Sequence, residues 1–237
     1  MLKIEHLTKT FGDKIAVNDL SVHIRPGEIC GFIGHNGAGK TTTIKACSGI
    51  LDFQGEVYID GHSIRKEPIA CKKELAYLPD NPDLYDFLSG IQYLNLIADI
   101  YEISPGRRQA DIHYYGELFQ LTDAFAQAIS TYSHGMKQKL ALISALIHHP
   151  KLIVMDEPFV GLDPKASFLL KEEMRKHCDQ GGAIFFSTHV LDVAEKLCDQ
   201  VVIIQQGHLI AQGTMEAVKG NASLESVFLE LEGAEHA

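Results

Sequence analysis

Residues 34–41, with the sequence GHNGAGKT, constrain the possible folds of this chain more than any other segment. They fit the pattern G-x-x-x-x-G-K-[ST] at every fixed position, follow an apolar run at 29–33 and precede a predicted helix at 40–50. Glycines let backbone N–H groups curl around phosphate oxygens, and the positive end of a helix dipole favours the same anion. The segment predicts a phosphate site at a strand-to-helix turn; a glycine-rich turn that matches by chance is the alternative.

Two side chains of this loop carry specific chemistry. Lys40 would place a positive charge on the β- and γ-phosphates of a nucleotide, and Thr41 would offer a hydroxyl ligand to Mg²⁺. The predicted nucleotide contacts in this loop are Gly34, Asn36, Gly37, Ala38, Gly39, Lys40, Thr41 and Thr42.

After residue 150 the chain alternates between strand and helix signals. Apolar runs at 152–155, 183–186 and 201–204 are typical of buried strands, and helices are predicted at 164–178 and 190–198. Strands separated by helices imply a parallel sheet with helices on its faces.

We therefore expect one α/β domain over 1–237. Its phosphate-loop NTPase core, with a mainly parallel sheet and an N-terminal antiparallel β layer, is predicted at 1–80 and 150–220. Strand signals vanish in the middle of the chain, which predicts an inserted α-helical subdomain at about 81–149. Residues 221–237 are expected to form a C-terminal helix or tail. Whether this tail packs on the core or mediates a dimer contact stays open. The apolar face of the tail comprises Leu224, Val227, Phe228 and Leu231.

The charge and the cysteine content narrow the possible partners of this chain and the cellular compartment in which it works. Lys plus Arg is 21 and Asp plus Glu is 31, so the formal charge is −10, and no nucleic-acid partner is expected. Five scattered cysteines without a C-x-x-C pair indicate reduced thiols in a cytosol. No run approaches the roughly 20 apolar residues of a membrane span, and the N-terminus lacks the apolar core of a signal peptide. We therefore expect a protein of the cytoplasm, and if it works on the cytoplasmic side of the cell membrane, another polypeptide must hold it there peripherally.

Two carboxylates follow the predicted strand at 152–155. Ligands of open α/β sheets lie beyond the C-terminal ends of the strands, so Asp156 is predicted to meet the Mg²⁺ of a bound nucleotide. Glu157 is predicted to accept a proton from the attacking water or to orient it. The alternative is a polar strand end before a turn.

Four further segments resemble the ATP-binding cassette (ABC) ATPase family. Residues 132–140, YSHGMKQKL, resemble its signature, and they lie just before the strand that ends in Asp156. Residues 161–164, GLDP, resemble its D-loop, and residues 187–189, STH, resemble the segment of its switch histidine. Phe11 resembles the aromatic residue that stacks on adenine. The order and spacing cover nearly the whole chain.

The resemblance implies an ATPase in which two cassettes close head-to-tail around two ATP molecules. Ser133 and Gly135 would then face the γ-phosphate held by a second copy of the chain or a related cassette. Singly, each match has a simpler explanation: His189 as a satisfied histidine, Phe11 packed in the β layer, Ser133 as a helix cap. The expected catalytic residues are Glu157, His189 and Lys40, and the expected Mg²⁺ ligands are Thr41, Asp156 and Asp80.

The chain departs from the family pattern at two sites. The signature carries His134 where the family has its first glycine, and Met136 where it has glutamine. His134 could add a donor or point to solvent. Asp80 stands where the family usually has a glutamine that touches Mg²⁺; it could still ligate a hard cation, or serve only as a turn residue. This form of the motifs resembles exporter-type cassettes.

The resemblance implies ATP binding and hydrolysis that drive transport, by export, through a separate multi-span membrane permease. The competing hypothesis is a soluble ABC-type ATPase acting on nucleic acid or the ribosome, and a third is a small-molecule kinase. Apolar residues after Asp80 are predicted to anchor a coupling helix of the permease, or else to pack inside the helical subdomain. They are Leu84, Tyr85, Phe87 and Leu88.

Overall fold

The computed structural model describes residues 1–233, which form two β-sheets and the helices around them. The strands are β1 (Leu2–Phe11), β2 (Lys14–Ile24), β3 (Ile29–Ile33), β4 (Gln54–Ile59), β5 (His62–Ser63), β6 (Leu75–Leu78), β7 (Leu152–Asp156), β8 (Ala183–Thr188), β9 (Gln200–Gln205) and β10 (His208–Thr214). The α-helices are α1 (Lys40–Cys47), α2 (Pro68–Glu74), α3 (Gly90–Ile100), α4 (Pro105–Leu118), α5 (His134–Leu146), α6 (Pro164–Asp179), α7 (Leu191–Leu197), α8 (Met215–Lys219) and α9 (Leu224–Gly233).

The central sheet has the strand order β10-β9-β3-β8-β7-β6. Its strands from β9 to β6 pair in parallel, and only β10 at the edge is antiparallel to its neighbour. Strands β3, β7 and β8 are buried along their full length, which explains their continuous apolar runs. The predicted parallel sheet with strands at 29–33, 152–155, 183–186 and 201–204 is confirmed.

The side sheet has the order β2-β1-β4-β5 and is antiparallel throughout. It confirms the predicted N-terminal β layer. The side chains of β3 alternate between two hydrophobic clusters: Ile29 and Ile33 face one, while Cys30 and Phe32 face the other. The first cluster packs against the helices from α3 to α7 and α9, and the second packs against α1 and the side sheet. The central sheet is thus covered on both faces.

Between β6 and β7 the described chain contains no strand of the two sheets, only α3, α4, α5 and two short 3₁₀ turns. We propose that residues 81–149 form an inserted helical subdomain, which shares a hydrophobic cluster with the central sheet. The predicted helix at 40–50 ends earlier, at Cys47, because Gly49 adopts a left-handed conformation with φ +69°. All five cysteines are buried free thiols. None of the helices within residues 1–233 is long and apolar enough to cross a membrane.

The C-terminal helix α9 packs on the core. Leu224 is fully buried and Phe228 nearly so, and both belong to the hydrophobic cluster on the α7 side of the central sheet. Of the two alternatives that the sequence left open, packing on the core is observed for α9, whereas a dimer contact of the tail stays a prediction. Residues 234–237 of the predicted tail lie outside the described part of the chain.

Candidate active site

A cleft of about 390 Å³ lies at the C-terminal ends of β3, β6 and β7. It brings together predicted residues from four distant segments: the end of β1, the phosphate loop, the turn after β6 and the end of β7. A larger cavity of about 560 Å³ between α4 and the end of α6 contains none of them. Residues lining the cleft include Phe11, Lys14, Ala16, His35, Asn36, Gly37, Gly39, Lys40, Thr41, Thr42, Asp80, Asp156 and Glu157.

The glycines of the phosphate loop are required by its geometry. Gly39 begins α1 with φ +112°, and a Cβ there would lie 2.5 Å from the Ala16 carbonyl oxygen. A Cβ at Gly34 would lie 2.4 Å from the Ile204 carbonyl oxygen. No other residue type fits these two positions without displacing backbone. The loop therefore passes tightly over the sheet and opens α1 towards the cleft.

Lys40 is buried, with 6% of its surface exposed, and its ammonium group lies among oxygens. Its Nζ donates to the Gly34 carbonyl at 2.6 Å and to the His35 carbonyl at 3.2 Å. Glu157 Oε1 lies 3.7 Å from the same nitrogen. Burial lowers the pKa of Lys40, while the charges of Glu157 and Asp156 act in the opposite direction. A positive charge is thereby held beside both carboxylates.

Asp156 and Glu157 are held by Ser187, which sequence reasoning left out of the predicted site. Ser187 lies opposite Asp156 in the pairing of β7 and β8. Its Oγ donates to Asp156 Oδ1 and accepts from the Glu157 backbone N–H at 3.0 Å. The signal in the sequence was a serine at the end of the strand before His189. One hydroxyl therefore orients the predicted metal ligand and the backbone of the predicted base.

His189 contacts Glu157 directly. His189 Nδ1 lies 2.9 Å from Glu157 Oε1, a donor–acceptor distance if the ring carries its proton on Nδ1. Glu157 itself adopts a left-handed backbone with φ +46°, which is uncommon for a residue with a side chain. Lys40 and His189 thus both face the Glu157 carboxylate.

Asp80 follows β6 and lines the same cleft as the two carboxylates. Burial raises the pKa of Asp80, and the negative charges of Asp156 and Glu157 raise it further. A hard cation would relieve this repulsion, and the hydroxyl of Thr41 adds a further oxygen donor. Within residues 1–233 no three His, Cys, Asp or Glu residues form a metal cluster of their own. This donor set suits Mg²⁺, which is usually held by one or two protein oxygens together with substrate phosphates.

Ser133 and Gly135 lie outside the cleft, at the start of α5. Ser133 caps this helix, since its Oγ accepts the Met136 backbone N–H at 3.3 Å. The imidazole of His134 packs against Gly161: a Cβ at Gly161 would lie 2.5 Å and 2.8 Å from ring atoms. His134 therefore contacts the D-loop segment, residues 161–164, of its own chain.

Phe11 borders the cleft with 49% of its surface exposed, so the β layer does not bury it. Lys9 Nζ lies 5.0 Å from the centre of its ring. An exposed aromatic face at the rim of the cleft can accept a flat, electron-poor ring.

Comparison with known proteins gives a consistent result. The family model described as ABC transporter matches residues 17–160. The chain belongs to the ABC transporter family. The uncharacterized ABC transporter ATP-binding protein YhcH of Bacillus subtilis (strain 168) is 39% identical over 212 residues, covering 89% of this chain and 68% of YhcH. EcsA, an ABC-type transporter ATP-binding protein of the same organism, is 32% identical over 237 residues. The match covers 98% of this chain and 96% of EcsA.

A solved structure of the ATP binding subunit of an ABC transporter has a TM-score of 0.94 and 32% identity, covering 98% of this chain and 99% of that one. The ABC fold is thereby confirmed, and the protein is an ABC transporter ATP-binding subunit that binds and hydrolyses ATP. Nothing in these matches supports the nucleic-acid or ribosome alternative.

Proposed function

We propose that this ABC ATPase hydrolyses ATP on the cytoplasmic face of a membrane and drives export through a separate multi-span permease. The catalytic part of this proposal rests on one observation: Lys40 and His189 both contact the carboxylate of Glu157, next to the phosphate loop. Such a grouping suits phosphoryl transfer, where positioning and charge stabilisation do most of the work.

In the proposed reaction, water attacks the γ-phosphorus while the bond to the β–γ bridging oxygen breaks and ADP departs. Glu157 Oε1 takes the proton of the water, and His189 orients that carboxylate and contacts the transferred group. Lys40 leaves the loop carbonyls for the phosphate oxygens and offsets their charge. Mg²⁺, held by Thr41 and Asp156 with Asp80 nearby, would neutralise the charge on the phosphates.

We propose that a second cassette completes each site. Ser133 and Gly135 present the N-terminus of α5, an anion-binding geometry, but they lie outside the cleft of their own chain. Head-to-tail pairing would set this helix end against the γ-phosphate bound by the partner. ATP would then bind the closed pair better than separate chains, and hydrolysis would release it.

The proposed contact with the permease lies after Asp80. Phe87 is 80% exposed and Tyr85 is 53% exposed, with their ring centres 5.9 Å apart. Of the four apolar residues predicted either to anchor a coupling helix or to pack inside the helical subdomain, two are packed: Leu84 is buried, and Leu88 is partly buried against the hydrophobic cluster that contains the helices α3 to α7. Two neighbouring aromatic rings that are exposed on the protein surface are a suitable anchor for a helix of the permease.

The test is purification of the chain from gently solubilised membranes and identification of what accompanies it. We expect a stoichiometric multi-span protein. Phe87→Ala should lose this protein, whereas Ile69→Ala, which truncates another highly exposed apolar residue on α2 (67% exposed), should retain it. Recovery of the native chain only in the soluble fraction, with ribosomes or DNA, would refute the permease and leave the ATPase chemistry intact.

A further inference from the structure

The C-terminal helix α9 contacts the phosphate loop through one aromatic pair. The ring of Phe228 lies 5.0 Å from the ring of His35, centre to centre, at an interplanar angle of 58°. Phe228 is almost fully buried, whereas Leu229, the next residue on the helix, is 59% exposed. The contact therefore belongs to the inward face of α9 and is fixed by the packing of the whole helix.

The position of α9 is set by the helix that follows His189. The Leu224 backbone N–H at the start of α9 donates to Glu195 Oε2 on α7 at 2.9 Å. Lys219 Nζ pairs with the other oxygen of Glu195 at 2.7 Å. Leu224 itself is fully buried beneath α9. The first turn of α9 is thus fixed to α7, and its second turn reaches the phosphate loop.

His35 is also in contact with Lys40, the phosphate-binding lysine of the loop. Its backbone carbonyl accepts from Lys40 Nζ at 3.2 Å. The loop around it contains glycines with left-handed backbones at Gly37 and Gly39, and glycine gives an unbound loop more conformations to lose than other residues. A ring packed on His35 reduces the number of conformations the loop must give up when it closes around phosphates.

We propose that Phe228 is a positioning residue for nucleotide binding: it holds His35, and with it the phosphate loop, in the form that accepts phosphate. The C-terminal helix thereby sets the ATP affinity of the cassette without touching ATP. Of the three expected catalytic residues, Glu157 and His189 lie outside the loop and only Lys40 lies within it. The effect should therefore fall mainly on nucleotide affinity and much less on the chemical step. This inference concerns the ATP site alone and does not depend on a permease.

The experiment compares full-length variants by ATP titration of hydrolysis and by calorimetric ADP binding. Phe228→Ala should raise the KM for ATP and the Kd for ADP by about threefold to tenfold, the range expected for loss of an aromatic pair. Its kcat should stay within about twofold of native. Phe228→Tyr should restore native affinity because the ring remains. Leu229→Ala, on the exposed face of α9, should behave like the native chain.

A double-mutant cycle tests the route through His35. His35→Ala should weaken nucleotide binding to a similar extent, and Phe228→Ala combined with His35→Ala should be no weaker than either single variant. Affinity unchanged in Phe228→Ala, effects that multiply in the double variant, or an equal loss in Leu229→Ala would each overturn the proposal.

Two variants keep the test decisive if Phe228→Ala does not fold. Phe228→Leu retains an apolar side chain in the core but removes the ring, and His35→Ala alters only the exposed partner of the pair. Both should weaken ADP binding, and native ADP affinity in both would refute the proposal. If the chain bound ADP but hydrolysed no ATP, the proposed catalytic function would fail while this contact could still be measured.

Discussion

At the scale of single residues, the site depends on groups that hold its carboxylates in place. Glu157 adopts a left-handed backbone, a conformation that costs free energy in a residue with a side chain. The hydrogen bond from its N–H to Ser187 Oγ and the contacts of its carboxylate with Lys40 and His189 offset this cost. At Glu157 the strained backbone conformation sets the direction of the carboxylate that is expected to act on water.

Ser187→Ala tests the support of Asp156. The change removes the hydroxyl that donates to the buried Asp156 carboxylate, so we expect a loss of about 1–3 kcal/mol in the free energy of unfolding, measured with urea. The Mg²⁺ concentration needed for half-maximal hydrolysis should rise as well. Ser48→Ala removes a buried hydroxyl that donates to the Ile44 carbonyl of α1 and serves as the control. Equal stability losses in both variants would contradict the special role of Ser187.

Asp80→Asn tests whether the residue at the family's glutamine position senses Mg²⁺. Removing this negative charge weakens the attraction for a cation in the cleft, so the Mg²⁺ concentration for half-maximal ATPase activity should rise by about tenfold. Asp83→Asn, three residues further along the chain, is the matched control. An Mg²⁺ titration of Asp80→Asn that overlays the native curve would make Asp80 a turn residue only.

At the scale of elements, helix α5 and the D-loop segment are joined within one chain. The His134 ring covers Gly161, and Lys139 Nζ pairs with Asp163 Oδ2 at 2.7 Å. This pairing lowers the pKa of Asp163, whose other oxygen accepts the Ala166 backbone N–H at the start of α6. A displacement of the signature at the start of α5 would therefore reach the loop that follows Glu157.

Gly161→Ala should lower the free energy of unfolding for two separable reasons. Its φ of +80° disfavours any side chain, and the new methyl would meet the His134 ring, so we expect a loss of roughly 2–4 kcal/mol in unfolding free energy. Adding His134→Gly removes the second cause only and should recover part of the loss. The four free energies come from urea unfolding of the native chain, both single variants and the double variant. No recovery in the double variant would mean that the ring does not limit this position.

The elements that could be predicted from the sequence are those determined by a few consecutive residues, such as an apolar run or a capping serine. The fully buried strands β3, β7 and β8 read as apolar runs, and the cap of α5 was recognisable from Ser133. The exact end of α1 and the packing of His134 were not predictable, because a left-handed glycine and a contact across 27 residues of chain decide them. The role of Ser187 depends on the register of β7 against β8, which one strand alone does not specify.

At the scale of the whole molecule, the phosphate-loop cleft and the start of α5 lie apart within one chain, and we propose that they are the two halves of a composite site. The cleft brings together the groups expected to bind one ATP, while Ser133 and Gly135, at the start of α5, are not among the residues that line it. The strand order that separates them, β10-β9-β3-β8-β7-β6, could not be read from the sequence, because apolar runs do not state which strands are neighbours. The family resemblance implied only that Ser133 and Gly135 would face the γ-phosphate held by a second cassette.

Glu157→Gln should trap a pair of cassettes. The amide cannot take the proton of the attacking water, so ATP should remain bound and hold the signature of a second copy. We expect the mass in size-exclusion chromatography with light scattering to double from 26.2 kDa when ATP is added. Combining Glu157→Gln with Lys40→Ala, which removes a phosphate contact, should abolish the ATP-dependent shift. Normal turnover by Glu157→Gln would assign the base elsewhere.

The helical stretch between β6 and β7 leaves the central sheet at one strand and returns at its immediate neighbour. Its attachment points are therefore fixed by a single strand pairing, Leu75–Leu78 against Leu152–Met155. Exchange of this stretch for that of another cassette would alter no strand order and no residue of the phosphate loop. Chimeras made at these two borders would show whether this stretch selects the proposed permease. Because the stretch also carries Asp80, Ser133 and Gly135, ATP hydrolysis has to be measured in each chimera as well.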